Sequence, residues 1–267
     1  MILTHNNKKS NLKQIAVYML LVFVLPLICV ILKTFTPLGR SNTLALILFG
    51  IEAATPSLAA ILTVLYFEAG HGLGQFLKQR YVHHFNFNVV LLSLFLPVLI
   101  IGAAKLSSWL FFGIPPTFGV LTSKKFLIVC WALVAEELGW RGFLQDKLGI
   151  YLNELIMPLV LGIIWAVWHY HYFISGTMSA PLILFTLGCI ADSYLYFAVT
   201  KAAHGNIVPA SVLHFSENLF CNLFSINPEY NHGSIVPYLL YVIGSLITAA
   251  IAIAITIKRK EKATAIL

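Results

Sequence analysis

Residues 131–142 read Trp-Ala-Leu-Val-Ala-Glu136-Glu137-Leu-Gly-Trp140-Arg141-Gly, placing two adjacent carboxylates and a guanidinium inside an apolar run. An ionisable side chain at the centre of a bilayer span costs about 2.5–3.5 kcal/mol on insertion scales, so each one asks for a functional reason. On a helix Glu137 and Arg141, four apart, share a face and can pair. Glu136 projects about 100° away from Glu137. The spacing therefore predicts different tasks: Glu137 held by Arg141, and Glu136 left free for chemistry. The competing reading is a buried ion pair that only fixes helix packing.

Two further segments carry groups that could serve such a carboxylate. Trp165-Ala-Val-Trp168-His169-Tyr-His171 puts Trp165 and His169 on one helical face, with His171 nearer the helix end in an expected wet, interfacial role. Asn206-Ile-Val-Pro209-Ala-Ser-Val-Leu-His214-Phe-Ser-Glu217-Asn218 puts His214 and Asn218 four apart. An imidazole and a carboxamide can both donate hydrogen bonds to one point, as an oxyanion requires. Either segment alone reads equally well as interhelical hydrogen bonding.

Depth connects them. Glu136 lies about 16 Å before Lys147 at 1.5 Å per residue. His169 lies a similar distance beyond Pro158, a plausible first-turn proline. His214 and Asn218 lie about 12 and 18 Å past Asn206. All four can meet near the middle of the bilayer. Asp192, Glu52, Glu68 and Lys105 show no partner at clear spacing and read as packing or interfacial residues, while Glu217 projects about 100° from Asn218 as a spare carboxylate.

The elements that must hold these residues follow from composition. Of 267 residues 59% are hydrophobic and 10% charged, where a soluble domain carries about 25% charged residues; mean hydropathy is +0.87. The apolar runs are continuous, which excludes the alternation of a membrane β-barrel. The expected fold is all-α, one integral-membrane domain over 1–267. Eight candidate spans lie near 14–32, 43–67, 88–112, 124–145, 157–174, 180–200, 206–225 and 235–257, with the site among spans 4, 5 and 7. Residues 14–32 are too long for a signal peptide's apolar region and lack a cleavage site, so a retained first helix is expected. The segment from His71 to His84, with Phe76, Leu77 and Tyr81 among polar residues, is expected to run along the membrane surface.

The net charge of +7 forms no patch for nucleic acid. With the amino terminus inside, Lys8, Lys9, Lys13, Lys78, Arg80, Lys147, Lys201, Lys258, Arg259, Lys260 and Lys262 face the cytoplasm, and Lys33, Arg40, Lys124 and Lys125 face away. This asymmetry predicts both termini in the cytoplasm. Cys29, Cys130, Cys189 and Cys221 all lie in apolar stretches without CxxC spacing, and read as small buried hydrophobes.

Glu136-Glu137-x-x-x-Arg141, then Trp165-x-x-x-His169, then His214-x-x-x-Asn218 resembles the CPBP family, the CAAX-processing and bacteriocin-processing (Abi) intramembrane endopeptidases. The strings at 136–143, 55–62 (Thr-Pro-Ser-Leu-Ala-Ala-Ile-Leu) and 205–214 extend the resemblance over about 50–225 and read like bacterial members. Two positions depart from the family pattern: Trp165, where Phe is common, and His171, where Pro is common. The resemblance implies peptide-bond hydrolysis in a bacterial-type plasma membrane. Glu136 would be general base on a water positioned with His169, His214 and Asn218 would stabilise the oxyanion, and Glu137 and Arg141 would support them. The family is often labelled metalloprotease, and Glu136, His169 and His214 are the set that would hold zinc; the HExxH helix is absent. The implied partner is a membrane peptide or protein, prenylated in the best-known cases. The alternative is a non-enzymatic bacteriocin-immunity or transporter-like protein using the same cluster for binding.

Overall fold

The computed structural model describes residues 5–68 and 72–265, with side chains for 9–68 and 72–258. His71 and the side chains of Lys8, Arg259, Lys260 and Lys262 lie outside the described residues. The described chain is helical without strands: α1 (His5–Phe35), α2 (Asn42–Ala53), α3 (Thr55–Phe67), α4 (Leu73–Tyr81), α5 (Phe87–Phe112), α6 (Ser123–Ala135) and α7 (Glu137–Gly139). A π-helical segment, Trp140–Leu144, then leads to α8 (Gln145–Leu148), α9 (Ile156–Ile174), α10 (Leu182–Ala202), α11 (Val208–Leu223) and α12 (Val236–Ala265).

Among the described residues five helices are long and apolar enough to cross a membrane: Lys9–Phe35 of α1, α5, α9, α10 and Val236–Lys258 of α12. The chain is an integral membrane protein. Large apolar side chains such as Leu20, Leu99, Phe111 and Ile183 stand on its outer surface, as lipid contact requires. Three of the eight expected spans take other forms. The run 43–67 is α2 and α3, bent by 60° at Ala54, and would add a sixth span if the pair crosses as one. The run 124–145 is interrupted at Glu136, and α6 alone has 13 residues. The run 206–225 becomes α11, whose 16 residues extend about 24 Å, short of a hydrocarbon core about 30 Å thick. Expectation and structure differ here because apolar content registers neither a bend nor a break.

Packing places the elements that carry the candidate residues side by side. α9 lies against α10, α10 against α11 and α12, α11 against α5 and α6, and α3 against α1 and α7. Lipid offers no hydrophobic drive for helices to associate, so close approach depends on small residues. At Gly162 of α9 a Cβ would come within 2.8 Å of the Ile190 Cα on α10, so only glycine permits that crossing. The start of α11 is tied to the α4 region: Ile207 N–H donates to the Arg80 carbonyl (2.8 Å), and Asn206 Nδ2 donates to the His83 carbonyl (2.8 Å). Asn206 Oδ1 in turn accepts from Val208 N–H at 2.9 Å, satisfying one of the orphan donors at the helix start. Tyr18, Trp140, Phe143, Leu144, Leu161, Trp168 and Tyr196 form the buried centre around which these helices meet.

Candidate functional site

The break at Glu136 builds the site. Glu136 sits at φ −120°, ψ −41°, outside helical geometry, between the end of α6 and the start of α7. The start of α3 supports this break from the opposite side. Ser57 Oγ donates to the Val134 carbonyl at 3.2 Å, engaging a helix-end acceptor that would otherwise be orphaned. At Gly139 a Cβ would stand 2.2 Å from the Pro56 carbonyl oxygen, so the backbones touch and no larger residue fits. The π-helical turn follows at once, a feature frequent at functional sites.

The two carboxylates have different partners. Glu137 faces Arg141, whose Nη1 lies 3.3 and 3.5 Å from its two oxygens. Arg141 is fully buried, with its guanidinium carbon 4.6 Å from the Trp165 ring centre and 4.3 Å from that of Tyr196. Those aromatic faces stabilise a desolvated cation. His214 Nδ1 lies 3.0 Å from Glu137 Oε1. A carboxylate only accepts, so Nδ1 carries the proton and Nε2 is the nitrogen left for other work. That Nε2 stands 4.0 Å from Glu136 Oε1.

Glu136 itself is held by tryptophan. Trp140 Nε1 (3.1 Å) and Trp165 Nε1 (2.9 Å) both donate to its Oε2. His169 Nδ1 lies 2.9 Å from the Trp165 carbonyl, which can only accept, so in the neutral ring Nε2 bears the lone pair. Glu136, His169, His214 and Asn218 all line one cavity of about 220 Å³, walled by Phe49, Trp131, Tyr172 and Met178 among others. A smaller cavity of about 90 Å³ shares His169, His214 and Asn218 with it and extends towards Asp192 and Glu217. A larger cavity, about 460 Å³, lies by α4 and the π-helical segment and holds none of the motif residues. Burial lowers the pKa of Lys147 at its rim.

Several expectations need correction. Glu52 and Asp192, without a partner at clear spacing in the sequence, meet partners from other segments. Glu52 meets Lys33, and its Oε1 lies 3.0 Å from His171 Nε2. His171 is therefore buried against Glu52 of α2 and is not a wet interfacial group. Asp192 Oδ2 accepts from Tyr241 at 3.2 Å. Tyr241 also donates to Glu217, which accepts from Tyr196 at 2.7 Å. Lys105, nearly buried, donates to Thr117 Oγ1 (3.0 Å) and Asn231 Oδ1 (2.6 Å). These partners come from distant segments, so no spacing rule within one helix reveals them. The sequence leaves open whether a metal is held, with Glu136, His169 and His214 as the conditional set; among the described residues no group of three or more His, Cys, Asp or Glu side chains is placed to hold a metal ion. The donors around Glu136 Oε2 are N–H groups, which compete with a cation for that oxygen. Sequence reasoning also missed Trp140 as a hydrogen-bond donor, although it stands four residues after Glu136, and it missed the roles of Pro56 and Ser57.

Residues 118–220, from just before α6 to near the end of α11, match the family model of the type II CAAX prenyl endopeptidases, Rce1-like. That match supports a CPBP family intramembrane protease. The Rce1-like segment contains Glu136, Glu137, Arg141, His169, His214 and Asn218. No curated protein matches the chain.

Proposed function

We propose that the chain is an intramembrane endopeptidase that hydrolyses a peptide bond in a membrane-associated substrate, with Glu136 as the base. The observation that carries this reading is the single cavity lined by Glu136, His169, His214 and Asn218. A water in contact with Glu136 Oε1 and His169 Nε2 gives up a proton to Glu136 as its oxygen attacks the carbonyl carbon. The carbonyl oxygen gains charge and is met by the Asn218 carboxamide and by His214 Nε2. Donation from Nε2 requires the imidazolium, a cation whose charge the carboxylates of Glu137 and Glu136 balance. The proton on Glu136 then passes to the leaving nitrogen as the C–N bond breaks, which restores the carboxylate. Glu137 and Arg141 keep His214 in place.

The Rce1-like match favours a prenylated CAAX-type tail as substrate, and the loop charges favour cytoplasmic access. Glu136→Gln tests the reading. The purified variant should remain monodisperse in detergent and lose cleavage of a farnesylated CAAX-type peptide by at least about a hundredfold, the scale of a general base. Turnover unchanged in that variant sinks it.

A further inference from the structure

The two oxygens of Glu136 have different surroundings. Oε2 accepts from the indole N–H groups of Trp140 (3.1 Å) and Trp165 (2.9 Å). Among the described residues no such donor reaches Oε1, which is the oxygen nearer His214 Nε2, at 4.0 Å. A glutamate's terminal torsion is broad and roughly two-fold, so an unrestrained carboxylate exchanges its two oxygens freely. Two N–H donors on one oxygen remove that exchange, because hydrogen bonds to a charged acceptor are about twice as strong as neutral ones.

Both donors sit on rigid supports. Trp140 is fully buried, with its ring edge-on to Tyr18 and Trp168 at centroid distances of 6.0 and 5.9 Å. The Trp165 ring lies under the Arg141 guanidinium, and its backbone carbonyl accepts from His169 Nδ1. One residue thus orients both groups assigned to the water: its indole N–H fixes Glu136, and its carbonyl fixes the His169 tautomer.

We infer that Trp140 and Trp165 are positioning residues that pin Glu136 Oε2 and thereby dedicate Oε1 to the water. The inference rests on the reading of Glu136 as base. It makes the indole N–H, rather than the aromatic ring, the functional part of each tryptophan.

Trp165→Phe isolates that distinction, since it keeps an aromatic face for Arg141 and leaves the backbone carbonyl in place. With the farnesylated peptide, and activity normalised to the monodisperse protein, kcat should fall about tenfold with KM within twofold. Trp140→Phe should act similarly. The double variant should lose more than the product of the single losses, because the donor left in each single variant still restrains Oε2 in part. A kcat for Trp165→Phe within twofold of the parent overturns the inference while leaving the Glu136 reading intact. A Glu136→Gln protein that still cleaves overturns that reading, and the catalytic half of the inference with it.

The contact itself is read without turnover. In protein labelled with ¹⁵N at the tryptophan indoles, Glu136→Gln should move the Trp140 and Trp165 N–H resonances. The Trp131 and Trp168 resonances should stay, since those indoles donate to the carbonyls of Gly50 and Val22. Trp140 and Trp165 resonances that do not move overturn the inference, whichever of the phenylalanine variants folds.

Discussion

Arg141 brings a positive charge beside the Glu137 carboxylate. It is a fully buried cation, paired with Glu137 and covered by the rings of Trp165 and Tyr196. Removing one partner of a buried pair typically costs about 3–5 kcal/mol, because the other charge is left unpaired. Arg141→Ala should therefore lower the thermal midpoint in detergent sharply, and Glu137→Gln should recover part of the loss in the double variant. Additive losses in that cycle would show that the pair is not coupled. Arg141→Lys keeps the charge but loses the planar face that lies on two rings, so it should fall between the parent and the alanine variant. The pairing itself is readable from the sequence, since i,i+4 spacing is local. The stacking is not, because Tyr196 comes from a helix more than fifty residues away. Nor does an indole in an apolar run announce itself as a donor: Trp140 and Trp165 read as packing until their N–H groups are placed on Glu136.

At the scale of elements, the break between α6 and α7 depends on α3. Gly139 meets the Pro56 backbone and Ser57 engages the Val134 carbonyl. Backbone cannot move aside as a flexible side chain can, so Gly139→Ala should displace the turn that carries Glu136, at a cost of about 1–3 kcal/mol as overpacking. The expected outcome is reduced cleavage together with a lower thermal midpoint; a normal midpoint with full activity would show that α3 does not support the break. The long spans α1, α5, α9, α10 and α12 are legible because a continuous apolar run of that length matches the thickness of a bilayer's hydrocarbon core. The 60° bend at Ala54, the break at Glu136 and the shortness of α11 are hidden, since all three occur within equally apolar sequence. The resemblance of the string at 55–62 singles out a segment whose structural part, holding α7, becomes clear only in three dimensions.

Across the whole molecule, ionic contacts fall into two populations. Arg141 and Glu137 are fully enclosed and Glu136 and His214 line the cavity beside them, whereas Arg80–Asp146 and Lys201–Glu154 lie nearer the surface, the latter pair with more than a third of each side chain exposed. Mobile ions screen only what they can approach; at 1 M salt the screening length is about 3 Å, and buried pairs are affected much less than exposed ones. The charges of the candidate site and the peripheral charges should therefore respond separately to ionic strength. Raising salt from about 0.1 to 1 M should leave kcat on the farnesylated peptide within about twofold, while weakening contacts at the rim where α4, α8 and the start of α11 meet. A steep fall in kcat with salt would mean that ions reach the centre. Enclosure of Arg141 between two rings thus does more than offset its burial: it insulates the Arg141–Glu137 pair from the ionic composition of the compartment.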